Sequence, residues 1–155
     1  MHQRMLKAIV YGGLIAGTLD IVLVSAINRF DPLVILRVVA SGALGKATAF
    51  AGGLPASALG MLLQWLMSLL IAAIYVFAST RLTILTRFWI SCGLAYGLVT
   101  FFVMNYVVVP FSAAASSQPF VISAHISDIA LMLLYGLIIA FFAKRSLPIV
   151  VTQAY

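Results

Sequence analysis

Few side chains in this 155-residue sequence could do chemistry within its apolar stretches: Asp20, Gln64, Asn105, His125 and Asp128. Exposing any of them to hydrocarbon is costly, so residues of this kind are normally held against other helices or water, and they are the first candidates for function. Carboxylates beside an imidazole could bind a cation, relay a proton or recognise a small polar solute. Residues three, four and seven apart share one side of a helix. Gly13, Gly17 and Asp20 therefore form one stripe, and Ala56, Gly60 and Gln64 form a second. On a third segment His125, Asp128, Met132 and Tyr135 share a side, which brings imidazole and carboxylate within mutual reach. Gly93, Gly97 and Thr100 make a matching glycine stripe, and Asn105 is rotated by roughly 100° from it. Asp20, Gln64, His125 and Asp128 are expected to converge, with Asn105 near them, beneath a loop carrying Arg37 and Lys46. The result would be a capped, outward-facing polar cavity.

A plainer role competes with this one. Polar residues between membrane helices often act as glue worth about 0.6 to 2 kcal/mol per contact, and Asp20 could pair with Lys46 or Arg37 for that purpose alone. Metal ligation by Asp20, His125 and Asp128 is chemically feasible, but their spacing matches no recognised ligand signature, so no metal and no cofactor is expected. Ser25, Ser57 and Ser123 lack a G-x-S-x-G or comparable activating context, and no glycine loop is built to cradle phosphate. The single Cys92 excludes an intrachain disulfide and a cysteine zinc site, and reads as a small packing residue.

The elements that must position these residues are membrane spans. The sequence is 65% hydrophobic and 8% charged, with a mean hydropathy of +1.20, outside the range that keeps a globular domain in water. From Ala47 to Thr80 no residue is Asp, Glu, Lys, Arg or His, and from Phe88 to Ser127 His125 alone is of these five types. Stretches of this length suit spans of roughly 20 residues across a hydrocarbon layer of about 30 Å. Four are expected, at 8–27, 56–78, 88–109 and 123–143. The fold class is accordingly an all-α membrane protein, a single-domain up-down bundle of four transmembrane helices. The stretch after Met1 is read as the first span rather than a signal peptide, because it is long and has no clear A-x-A site.

Nine Lys or Arg face three Asp and no Glu, giving a net charge of +6. Arg4, Lys7, Arg81, Arg87, Lys144 and Arg145 all fall on one side of a four-span chain, against Arg29, Arg37 and Lys46 on the other. The bias predicts a multi-pass protein with both termini cytoplasmic, and it accounts for the basic excess without a nucleic-acid partner. A fifth crossing between Asn28 and Pro55 would reverse that bias and bury Arg37 or Lys46 at about 2.5 to 3.5 kcal/mol each. A short interfacial or re-entrant helix at 32–41 is expected instead, started by Asp31 and Pro32, with Gly42 and Gly45 as stops. The following GKATAFAGGLP, rich in glycine and small residues, is expected to be irregular and to fold back over the outer mouth.

The runs GGLIAGTLDI (Gly12 to Ile21), ILRVVASGALGKATAFAGG (Ile35 to Gly53) and MNYVVVPFSA (Met104 to Ala113), with His125 opening span four, resemble a family of small uncharacterised four-span bacterial inner-membrane proteins. The resemblance covers most of the chain. It implies the fold and an inner-membrane location in bacteria, and it supplies no activity and no catalytic residues. Two functions follow as expectations. The first is a non-enzymatic structural or accessory module in the lipid bilayer, assembling as a homodimer or within a larger membrane complex through faces lined by Gly13, Gly17, Gly60, Gly93 and Gly97. The second is a binder or transporter of a small solute or lipid headgroup that uses the outer cavity; the ligand itself is not specified. A lipid enzyme using His125 as acid or base ranks third, without a reaction motif.

Overall fold

The computed structural model describes residues 2–113 and 126–146. Four helices are long and apolar enough to cross a bilayer: α1 (His2–Asn28), α4 (Gly53–Arg81), α6 (Trp89–Val103) extended by a π-helical turn (Met104–Val108), and α7 (Ile126–Ser146). The shorter α2 (Pro32–Leu44), α3 (Lys46–Ala51) and α5 (Ile84–Arg87) connect them. The architecture is the all-α four-span bundle that the hydropathy pattern predicts. At about 1.5 Å per residue the 27-residue α1 reaches roughly 40 Å, so its ends project beyond the hydrocarbon.

Neighbouring spans pack α4–α1–α7–α6. Small residues set the spacing of these seams. A Cβ on Gly13 would meet Leu69 Cα and the Ser68 carbonyl oxygen at 3.0 Å, and one on Gly17 would strike the Ser68 side chain, so α1 and α4 touch nearly backbone to backbone. The α6–α7 seam is tighter. A Cβ on Gly136 would lie 2.6 Å from Gly97 N and 2.7 Å from Gly97 Cα, and one on Gly97 would collide with the Met132 carbonyl. Side chains instead bridge α4 and α6: the Tyr96 hydroxyl donates to the Ile71 carbonyl at 2.7 Å, and the Tyr75 and Tyr96 rings lie 4.9 Å apart. The buried centre is built from Ala16, Ala72, Tyr75, Val76, Tyr135, Ile139 and Ala140. Large apolar side chains such as Val22, Leu66, Phe77 and Val99 are exposed, the coat expected of a surface solvated by lipid tails.

The connection from α1 to α2 is a tight reversal. Arg29 adopts a left-handed φ of 54°, and the Ser25 hydroxyl donates to the Phe30 carbonyl at 2.6 Å. Asp31 then caps α2 as its type predicts, accepting from Leu33 N at 2.8 Å with Pro32 in the first turn. α2 packs along the start of α4, where a Cβ on Gly60 would collide with the Leu36 carbonyl.

Two expectations about this region need correction. α2 does not stop at Gly42, whose carbonyl accepts from Ala113 N at 2.9 Å, but continues to Leu44. Its end is Gly45, at φ 79° and ψ 154°, a conformation essentially reserved for glycine. The segment after it is not irregular, because Lys46–Ala51 forms α3. Ala49, fully buried, anchors that turn in the fold, so tertiary contact outweighs the weak local propensity. α4 accordingly begins at Gly53, three residues before the predicted boundary, with Pro55 tolerated in a first turn whose N–H groups have no helical partner anyway.

Candidate functional site

The α1 and α4 stripes bring their polar members together. Gln64 Nε2 donates to Asp20 Oδ2 at 3.0 Å. Asp20 lies eight residues from the end of α1, or roughly 12 Å along the axis, so the pair sits within the half of the bundle nearer the α1–α2 connection rather than at its rim. Glycine is what allows this contact. With Gly17 against Ser68, the backbones of α1 and α4 are close enough for a short carboxylate to reach a side-chain amide.

Beside the pair lies a cavity of about 40 Å³, lined by Asp20, Gln64, Ser68, Thr100, Met104, Met132 and Tyr135 among others. All four spans contribute a wall. Carboxylate, amide and hydroxyl oxygens supply its polar lining, and methionines supply the rest. The Tyr135 hydroxyl is hydrogen-bonded with Ser68, and the Thr100 hydroxyl donates to the Tyr96 carbonyl at 2.8 Å. Asp20 Oδ1 is buried without a hydrogen-bond partner among the described residues. Asp128, in the first turn of α7, is near enough to add like-charge repulsion to Asp20.

A buried carboxylate that receives one neutral hydrogen bond lacks compensation for its charge. The cations proposed to supply it are engaged elsewhere. Arg37 Nε donates to Ser57 Oγ at 3.3 Å in the α2–α4 seam, where Ser57 also donates to the Leu33 carbonyl at 3.0 Å. Lys46 is exposed at the start of α3. Neither lines the cavity. Asn105 is turned back on its own helix, its Nδ2 donating to the Phe101 carbonyl at 2.9 Å, and its neighbour Met104 reaches the cavity instead. His125 lies outside the described residues.

Of the proposed constellation, then, Asp20 and Gln64 are joined, Asp128 is adjacent, and Asn105, Arg37 and Lys46 are not part of the cavity wall. Ser68 was absent from the residues singled out, although it follows Gln64 by four and extends the stripe of Ala56, Gly60 and Gln64. The glycine stripes at Gly13, Gly17, Gly60, Gly93 and Gly97 all face helices of this same chain.

Compared with protein-family models, curated proteins and solved structures, the chain finds no match.

Proposed function

We propose that this membrane protein is a non-enzymatic module of the bacterial inner membrane whose cavity holds a small cation, either a proton or an alkali metal ion, on Asp20. The observation that carries this reading is the buried Asp20 Oδ1 without a partner, in a residue that lines an oxygen-bearing cavity enclosed by all four spans. Size narrows the ligand. About 40 Å³ exceeds the roughly 10–15 Å³ needed for one water and falls well below the 300 Å³ or more of sites for organic molecules. A metabolite does not fit, whereas an ion with a water or two does. Charge supports the same class, because a cation compensates the Asp20 carboxylate, whose donor Gln64 is neutral.

The test is thermal unfolding of the purified protein and of Asp20→Asn in lipid discs. Lithium, sodium, potassium and bulky choline chlorides are compared at equal ionic strength, followed by acidification in choline. An alkali ion that raises the melting temperature of the native protein, with Asp20→Asn indifferent, identifies a metal cation. A difference between the two proteins that emerges only with pH identifies the proton. If neither series separates them, the reading fails and Asp20 with Gln64 is interhelical packing.

A further inference from the structure

At the opposite end of the bundle from Asp20, a groove of about 310 Å³ opens between the start of α1 and the end of α7. It is lined by Arg4, Lys7, Tyr11, Phe142, Arg145 and Ser146. Arg4, Lys7 and Tyr11 occupy one side of α1 at spacings of three and four, and Arg145 comes from the last turn of α7. Its volume is at the lower end of small-molecule sites and far above that of a bare ion.

Three cations gathered in one groove repel one another unless an anion joins them, and no side-chain carboxylate among the described residues lies there. The chain's only side-chain carboxylates are Asp20, Asp31 and Asp128, in the outer half of α1, before α2 and at the start of α7. Two of the other basic residues at this end have different surroundings: Lys144 Nζ lies 4.8 Å from the centre of the Trp89 ring, and Arg87 stacks 5.6 Å over Phe88. Tyr11 and Phe142 continue the groove along the helices as aromatic wall. The groove therefore passes from three cations to apolar rings at a helix end, where the headgroups of a bilayer lie.

We propose that this groove binds the phosphate headgroup of an anionic glycerophospholipid, with Arg4, Lys7 and Arg145 around the phosphodiester and the first acyl carbons against Tyr11 and Phe142. This assignment stands apart from the cation reading at Asp20. Arginine presents a fork of donors matched to phosphate oxygens, lysine adds a point charge, and the Ser146 hydroxyl is one further donor. A tail-anchored ligand also explains why apolar wall adjoins the charges, which free phosphate would not need.

The test is native mass spectrometry of the full chain released from discs of zwitterionic lipid containing a small fraction of phosphatidylglycerol. Two charge-matched variants are compared: Arg4→Gln/Lys7→Gln/Arg145→Gln in the groove, and Arg81→Gln/Arg87→Gln/Lys144→Gln at the same end outside it. A basic residue near an anionic surface changes binding by about fivefold, so the groove variant should lose on the order of a hundredfold in apparent affinity. The control variant should retain the lipid adduct. Circular dichroism melting of each variant ensures that the comparison is made between folded proteins, and Lys7→Gln alone, at an exposed position, should still weaken the adduct by about fivefold. Equal losses in both triple variants, or no loss in the groove variant, overturn the site. Displacement of the lipid by equimolar inorganic phosphate overturns the lipid assignment in favour of a free phosphate.

Discussion

Replacing Gly136 by alanine tests whether the bundle is held by backbone-close seams. In a loose seam this change would stabilise the protein, since alanine gains up to about 1 kcal/mol over glycine inside a helix. Here the added carbon would lie 2.6 Å from Gly97 N and 2.7 Å from Gly97 Cα, with no flexible side chain among its nearest contacts to give way. Restoring an ordinary separation of about 3.5 Å moves α6 and α7 apart by nearly 1 Å. Such a gap forfeits a quarter to a half of each dispersion contact. Taking on the order of 50 atom pairs along the seam at about 0.15 kcal/mol each, the loss is about 2 to 4 kcal/mol. Lipid tails offer no hydrophobic drive to close it again. The net after the propensity gain is about 1 to 3 kcal/mol of destabilisation, or roughly 2 to 12 °C in melting temperature for a chain of this length. Thermal unfolding in lipid discs measures it, with Ala95→Val on the exposed face of α6 as the inert comparison. A Gly136→Ala protein that melts at or above the native temperature would refute the close seam, because the sign itself would be wrong.

Other consequences are open to similar measurement. Gln64→Leu removes the donor to Asp20 Oδ2 and should cost about 1 to 3 kcal/mol, and a double-mutant cycle with Asp20→Asn should show the two changes to be non-additive; strict additivity would dissolve the pair. Tyr96→Phe deletes the bond to the Ile71 carbonyl that ties α6 to α4 and should cost about 0.6 to 1.7 kcal/mol, read from the same melting curves. Gly45→Ala meets no neighbour within 4 Å, so its cost of about 1 to 3 kcal/mol comes from backbone strain alone, and a silent substitution would argue against the turn. For topology, in a Cys92→Ser background Lys46→Cys should react with an impermeant maleimide in intact cells, whereas Arg87→Cys should react only after permeabilisation. The reverse pattern would place the termini outside.

The fold was legible wherever one strong physical term dominates. Span number and location follow from the length of uncharged stretches, and the start of α2 follows from Asp31 and Pro32, whose side chains act on their own backbone. The Asp20–Gln64 contact was legible for a related reason: glycine stripes mark the faces where helices approach, and both polar residues lie on those stripes. What could not be read depends on long side chains and on competition between similar breakers. Arg37 can reach in several directions, and Ser57, twenty residues later, fixes its place only once α2 lies along α4. Gly42 and Gly45 are equivalent by type, and only the folded chain distinguishes them, with Gly42 helical and Gly45 at the φ of 79° that ends α2. Met104 reaches the cavity because it follows Thr100 by four, on the face from which Asn105 is rotated, whereas the π-helical turn that starts there leaves no mark in a hydropathy pattern.

The two-sided glycine face of α1 also bears on how the protein is made. Gly13 and Gly17 receive α4, whereas Gly12 and Ala8 lie on the part of α1 buried by the rest of the bundle, with Gly12 against Phe142 of α7. Synthesis delivers these partners in order, so an intermediate holding only α1 to α4 can already join Asp20 to Gln64. It cannot yet form the cavity, whose walls require Thr100 from α6 and Tyr135 from α7. The last span to emerge closes two seams at once, joining α1 to α6 through α7. A nascent chain ending after α4 therefore already gives its intramembrane carboxylate the same Gln64 donor that it keeps in the finished bundle.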